Sequence, residues 1–443
     1  MRQVRHLLCS ILFLQSSVFC DQPTPEWVSQ DESRPQAQIS VSSNPGSVNL
    51  STGTGALGRY LFKLKEDSPV RVAGLWIADG DLLLTKCIPP GKQLIKIPSG
   101  RLSGNNLVIL DLTIYIDKLC AWQGAMFGAE FLQFNGMDSN GQAGSVQGYD
   151  SMPVLPPFNR SELYQIWFRQ ELWDKKIIIR IGKTVPTYDF NNVLRPVPVQ
   201  DKSLKIPAVS GLLYTPIFIN PVNIGVLPGY YNSAYGITAT FAPTSSFYIN
   251  AGAYDGNLAR GKQTGLEGPH FNGYYFYIAE TGVNWRVGEH KKPGVFSVGG
   301  WYQTGELSLP NGVHQHDAQG IYAFGSQWVW SRNPGVEPGG ISVFWQLGWN
   351  HAKTLRMNRF VGCGLTAFAL TRPSDSFGAG MAWAWLNKRL FTRNSELMFQ
   401  AYYQAHLFYH TFLEPVLTYI PTPGLGKNLP PTVALSLQMI NLF

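Results

Sequence analysis

TVALSLQMINLF closes the chain, from Thr432 to Phe443. Val433, Leu435, Leu437, Met439, Asn441 and Phe443 alternate with Ala434, Ser436, Gln438, Ile440 and Leu442. This period of two, with one greasy face and one mixed face, belongs to a β-strand that meets two different media. One strand decides little by itself, so the test is whether the rest of the chain repeats the pattern.

It does. Segments of β character recur at 70–86, 106–118, 121–135, 161–173, 176–187, 233–242, 246–255, 272–287, 294–304, 317–330, 341–350, 358–371, 376–386, 394–405, 409–420 and 432–443. Their number, about 16, is even, as bacterial outer-membrane barrels require. In 233–242, Tyr235, Ile237, Ala239 and Phe241 oppose Ala234, Gly236, Thr238 and Thr240. In 272–287, Tyr275, Tyr277, Ala279, Val283, Trp285 and Val287 oppose Glu280, Gly282, Asn284 and Arg286. In 376–386, Met381, Trp383 and Trp385 oppose Gly380, Ala382 and Ala384. The apolar face suits lipid, with aromatics toward its ends, and the small or polar face suits a lumen. A soluble barrel would reverse this, but about 16 strands make a barrel wide enough to hold water. The expected fold is therefore all-β, a transmembrane antiparallel β-barrel with short periplasmic turns and long extracellular loops.

The connections sort accordingly. With the carboxy terminus on the periplasmic side, the expected periplasmic turns include Leu119-Cys120, Asp174-Lys175, Pro243 to Ser245, Arg372 to Asp375 and His406 to Phe408. The other side takes the longest links, 87–105, 136–160, 188–232 and 256–271. The link 188–232 is rich in Pro and apolar residues and is expected to fold into the barrel mouth, since long ordered loops are commonly functional. A terminal Phe on such a strand is also the form of signal that the barrel-assembly machinery reads.

Composition agrees. Aromatic residues make up 13%, charged residues only 14%, and there are 45 Gly. Residues 1–20 read as a secretory signal: Arg2, Arg5 and His6, then an apolar stretch from Leu7 to Val18, with cleavage after Cys20. Phe19 fits poorly with lipidation of Cys20. Residues 21–56, rich in Ser, Pro, Gln, Gly and Asn, read as a loosely ordered lead-in to a barrel domain at 57–443. Beyond the signal there is no apolar run of the roughly 18 residues that a membrane helix needs. The net charge of +7 falls by two with Arg2 and Arg5, to +5, and does not cluster in runs, which leaves no support for nucleic-acid binding. Cys87, Cys120 and Cys363 are an odd set, open to a Cys87–Cys120 bridge or to three packed thiols.

The segment 161–187 carries the candidate function. A turn at Asp174-Lys175 sets Arg169 opposite Arg180, Glu171 opposite Ile178 and Trp167 opposite Gly182, while Tyr164, Ile166, Phe168 and Leu172 take the lipid face. Opposed like charges destabilise a sheet unless solvated or balanced. Guanidinium groups in a pore would offer planar arrays of donors to hydroxyls or carboxylates, and Trp167 could stack on a sugar ring. Balance by Glu171 and Glu130 would instead serve only to hold the wall open. Glu280, Arg286 and Glu414 are further lumen charges. Histidines at 270, 290, 314, 316, 351, 406 and 410 accompany no nucleophile motif, and His314-x-His316 reads as solvated, so neither an enzyme nor a metal or cofactor site is expected.

Several blocks also resemble one family: GAEFLQFNG (128–136), GSVQGYDS (144–151), RSELYQIWFRQEL (160–172), RIGKTVPTYDFNNV (180–193), GYYNSAYGITATFAP (229–243) and SELMFQAYYQ (395–404). They are similar to carbohydrate-selective porins of the OprB type, across roughly residues 57 to 443. The resemblance implies an outer-membrane barrel of a Gram-negative bacterium that passes glucose and other mono- and oligosaccharides, with arginines at a constriction and a homotrimer as the candidate assembly. It places Arg169 and Arg180 at that eyelet, with Glu171, Trp167, Glu130 and Asp189 completing the candidate set. A less selective anion or small-solute porin is the alternative. Asn441 departs from the aromatic common at the third position from the end, and 21–56 matches no block.

Overall fold

Period-two alternation throughout leaves the chain one way to satisfy its backbone in lipid, a closed sheet without edges. The structure, a computed structural model, describes residues 53–85, 102–150, 152, 159–190, 227–229, 232–244, 246–260, 268–289, 292–308, 312–332, 339–372 and 375–443. A short helix, α1 (Ala56–Phe62), leads into the barrel and ends at Lys63, which adopts a left-handed conformation. The strands are β1 (Val70–Leu83), β2 (Leu102–Tyr115), β3 (Ala125–Gly136), β4 (Arg160–Leu172), β5 (Ile177–Thr184), β6 (Ala234–Thr244), β7 (Phe247–Asp255) and β8 (Tyr275–Val287). They continue as β9 (Lys292–Ser308), β10 (His314–Ser331), β11 (Gly340–Asn350), β12 (Met357–Phe368), β13 (Ser376–Leu386), β14 (Ser395–Phe408), β15 (Thr411–Ile420) and β16 (Thr432–Leu442). Every strand pairs antiparallel with its sequence neighbours, and β16 pairs with β1 to close the barrel.

The seam explains the final residue. β1 and β16 are in register from Leu75↔Leu442 to Leu83↔Ala434. Phe443 extends the ladder by one pair, donating to the Gly74 carbonyl at 2.9 Å and accepting from its N–H at 2.6 Å. Its ring lies across Gly74, where a Cβ would come within 2.2 Å of it, so only glycine fits.

The two faces differ as the alternation predicts. On β16, Leu435 and Leu437 are 41% and 48% exposed, whereas Ser436 and Gln438 are buried. On β8, Tyr277, Val283, Trp285 and Val287 are exposed while Glu280 is buried. On β8 the exposed aromatics Tyr277 and Trp285 stand toward the two ends of the strand, as in the girdles of a membrane barrel. The inner face departs from expectation, because it carries bulky aromatics as well as small and polar groups. Phe276, Trp301, Tyr322, Phe324, Phe344 and Phe360 all point inward and are buried. Rings are accommodated by glycines on the neighbouring strand. Trp167 lies over Gly128, Tyr322 over Gly299 and Tyr254 over Gly236, each leaving no room for a Cβ. Such ring-on-glycine pairs account for a chain rich in both residue types.

Several local expectations are corrected; the turn expected at His406 to Phe408, for one, falls at 409–410, because β14 runs to Phe408. A β-bulge between Glu130 and Phe131 of β3 and their partners on β4 inserts Tyr164 as an extra residue, so Tyr164 turns inward and is buried rather than facing lipid. The β2–β3 connection is not two residues at Leu119-Cys120. It spans 116–124 and holds a 3-10 turn at Ile116–Lys118, with Cys120 exposed in it. Cys87, the signal, most of the lead-in and residues 191–226 of the expected inward loop lie outside the described residues.

Candidate functional site in the barrel interior

The β4–β5 hairpin turns through Asp174 and Lys175, with φ of 53° and 66°, a left-handed pair that matches the twist of the strands. The N–H of Lys176 donates to the Trp173 carbonyl at 3.1 Å. The register follows from this turn: Arg169↔Arg180, Trp167↔Gly182 and Glu171↔Ile178. Both arginines lie on the inner face, 1% and 3% exposed.

Two guanidinium groups side by side out of water must be compensated. Each has its own carboxylate. Arg169 Nη2 donates to Glu171 Oε1 at 2.5 Å, and Glu171 also lies 3.5 Å from Lys175 Nζ. Arg180 Nη2 donates to Asp189 Oδ2. Asp189 follows the 3-10 turn Pro186–Tyr188, which begins the β5–β6 connection. That turn is pinned inside the barrel: Thr238 Oγ1 donates to Asp189 Oδ2 at 3.1 Å and Asn250 Nδ2 to its carbonyl at 3.0 Å. The Trp167 ring stands 5.9 Å from Arg180 Cζ, within cation–π reach. Glu130 is joined less directly. It accepts from Gln165 Nε2 at 2.5 Å, and Gln165 Oε1 accepts from the Val185 N–H at 3.0 Å, just before the same turn.

The six residues singled out in the sequence thus share one stretch of inner wall. The other lumen charges stand apart. Glu280 accepts from Tyr248 and Tyr322 hydroxyls at 2.6 and 2.8 Å, and Glu414 accepts from Gln404 at 2.5 Å. Arg286 is exposed near the β8–β9 turn. His314 is exposed and pairs with Glu306 at 3.1 Å.

A second element packed on the inner wall was not anticipated. The β3–β4 connection begins with a helical turn, α2 (Ser139–Gln142), capped by Asp138, whose side chain accepts from Gly141 N–H at 2.8 Å. From there 143–150 run buried along the inner wall to β14. Glu396, wholly buried, accepts from Ser145 Oγ (2.6 Å), Val146 N–H (2.9 Å), Gln147 N–H (3.2 Å) and Gly424 N–H (2.6 Å). A carboxylate with four donors is a strong anchor, because hydrogen bonds to charged groups are worth about 1.5–3 kcal/mol each. Gln400 Nε2 donates to the Tyr149 carbonyl at 2.8 Å, and Thr432 Oγ1 to the Ala143 carbonyl at 2.9 Å. Both ends of this contact lie in the blocks GSVQGYDS and SELMFQAYYQ, the one signal in the sequence that could have exposed it.

The far end of the segment is held at Asp150. Its side chain accepts from Asn105 Nδ2 at 2.9 Å, from Ser139 Oγ and from the Met152 N–H at 2.7 Å. Burial pushes the Asp150 carboxyl above its ordinary range. Beside it on β1 stand Asp79 and Asp81, and oxygens of the three carboxylates lie within 4.8 Å of one another. Among the described residues this is the one carboxylate, thiol or imidazole cluster with metal-ligand spacing.

A profile of the OprB family, carbohydrate-selective porins, matches residues 110–441. Porin B of Pseudomonas aeruginosa is 23% identical over 356 residues, covering 70% of this chain and 75% of that protein. The high-pH structure of Pseudomonas putida OprB is similar with a TM-score of 0.71 at 17% identity, covering 89% of this chain and 100% of that one. The low-pH structure of the same protein gives 0.54 at 15% identity over the same shares. At these identities the structural likeness speaks for the fold.

Proposed function

The chain belongs to the OprB family of carbohydrate-selective porins, and on that premise we propose that the wall built from Arg169, Arg180, Glu171, Trp167, Glu130 and Asp189 is the eyelet that gives the channel its preference for sugars. The protein is an outer-membrane porin: solutes diffuse down their gradients and no bond is made or broken. Discrimination in such a channel comes from weak polar contacts, since tight binding would stop release.

The observation that carries the proposal is the matching of charges. Each arginine has a carboxylate at hydrogen-bond distance. A matched pair presents little net field at a distance, so the wall it builds does not favour ions over neutral solutes. The near-complete burial of the two guanidinium groups makes them positioning residues. Arg180 holds Asp189, and through it the turn Pro186–Tyr188, against the inner wall. The width and polarity of the passage then follow from the pair. Glucose and other mono- and oligosaccharides are the expected solutes.

The second reading, an anion porin, rests on the direct opposition of Arg169 and Arg180. Planar-bilayer recordings separate the two. The sugar reading expects weak ion selectivity and a conductance reduced by sugars. Strong anion selectivity with no effect of sugars would overturn it.

The same reading carries a homotrimer and recognition of Phe443 by the barrel-assembly machinery. An outward-facing polar trio supports the first: Trp76 Nε1 donates to Asn106 Oδ1 at 2.5 Å and Asn106 Nδ2 to Asn135 Oδ1 at 3.4 Å, on strands that otherwise face lipid. Cross-linking in native membranes yielding only monomers would sink it. Phe443 in the closing seam supports the second, and normal assembly of a chain lacking Phe443 would count against it. The mature amino terminus is placed near Asp21, which sequencing of the exported protein checks.

A further inference from the structure

We propose that Asp79, Asp81 and Asp150 bind a divalent cation of the calcium type, which ties the inward-folded β3–β4 connection to the wall at β1. The site is independent of which solute the channel prefers.

Asp79 and Asp81 occupy inward positions two apart on β1, 5% and 0% exposed. Asp150 comes from the β3–β4 connection, seventy residues later, and is equally buried. No described Arg, Lys or His forms an ion pair with any of them, in contrast with the arginine wall. Three carboxylates out of water and without a cation are strongly unfavourable.

The hydrogen bonding points the same way. Asp150 and Asp81 each have protein donors, Asp150 those named above and Asp81 the Ser436 hydroxyl. Both oxygens of Asp79, however, receive no N–H or hydroxyl from outside the cluster and face only the carboxyl groups of Asp81 and Asp150. Two further buried polar groups stand beside the cluster, and one of them lacks a partner. Gln438, 1% exposed and directly across from Asp79 on β16, has an unpartnered amide nitrogen; exchange of the two amide positions would present an oxygen instead. The Tyr149 hydroxyl, wholly buried, stands against Asp81 beside the other two carboxylates. Unpartnered polar atoms thus come from two paired strands, β1 and β16, at the place where the connection delivers Asp150.

Size selects the ion. Oxygens bound to calcium at about 2.3–2.6 Å stand up to about 5 Å apart across the ion, which accommodates the spacing here. Magnesium, at about 2.0–2.1 Å in a strict octahedron, would need a tighter set. One ligand on a connection and two on a strand also give the adaptable geometry that calcium tolerates.

The test uses the full chain, refolded in detergent free of lipopolysaccharide and stripped of metal. Calcium chloride titrated by calorimetry should bind at one ion per chain and raise the unfolding temperature. Terbium chloride should luminesce on excitation of tyrosine, with Tyr149 as the near donor, and calcium should quench the signal by displacement. Asp79→Asn removes a charge at constant side-chain size, and it should weaken calcium binding at least about tenfold. Asp81→Asn is the second variant and should do the same. A wild-type chain that binds no calcium overturns the proposal whatever the variants do. So does calcium binding and stabilisation that are equal in wild type and Asp79→Asn.

Discussion

The inner faces of β4–β5 and of β1 both hold charge away from water, and they hold it differently. On β4–β5 two arginines meet two carboxylates within one hairpin and the turn that follows it. On β1 two aspartates meet a third from a distant connection, and no described cation answers them. The first arrangement is complete within the chain, so its stability should be indifferent to divalent ions. The second is incomplete, so its stability should follow what the solution supplies. The lesson is that a lumen is not uniformly a wet surface: charged groups lining it can be packed as tightly as a core and must then be balanced as in a core.

Breaking the complete arrangement should have the largest effect. Arg180→Ala takes the cationic partner from buried Asp189 and should cost about 3–5 kcal/mol, read from urea unfolding in detergent. Arg169→Ala should cost less, about 1–3 kcal/mol, because Glu171 keeps Lys175 at 3.5 Å. Equal costs would mean that the two pairs are not the separate units described. The smallest effect, and the one of opposite sign, belongs to β1. Without calcium, Asp79→Asn relieves repulsion and should stabilise the chain by on the order of 1 kcal/mol. A destabilisation there would show that Asp79 has a partner within the fold and that the two regions are balanced alike.

Most of the barrel was legible because a strand with lipid on one side and a lumen on the other writes itself as alternation. The limits expected for 376–386 coincide with β13, and the Arg169↔Arg180 register followed from a turn of two residues. What escaped was whatever breaks or ignores the period. The bulge at Tyr164 shifts the phase by one residue, and alternation alone does not announce it. The hydrogen bond from Ser145 to Glu396 joins residues 251 apart in sequence, so no local pattern encodes it. Asp79 and Asp81 had the right parity to face inward, but the third carboxylate arrives only through the folded β3–β4 connection. The bulky inner aromatics were missed because a wide lumen was expected to favour small groups, whereas cross-strand glycines make room for the rings.

The central claim, that matched charges on β4–β5 shape a passage for neutral sugars, is tested most directly by liposome swelling. Glucose, maltose, an amino acid and gluconate are compared in vesicles of wild type, Arg169→Ala and Arg180→Ala. The wild type should admit the sugars faster than gluconate, and the two variants should lose that discrimination, Arg180→Ala more than Arg169→Ala. Rates in both variants unchanged from wild type for all four solutes would contradict the account.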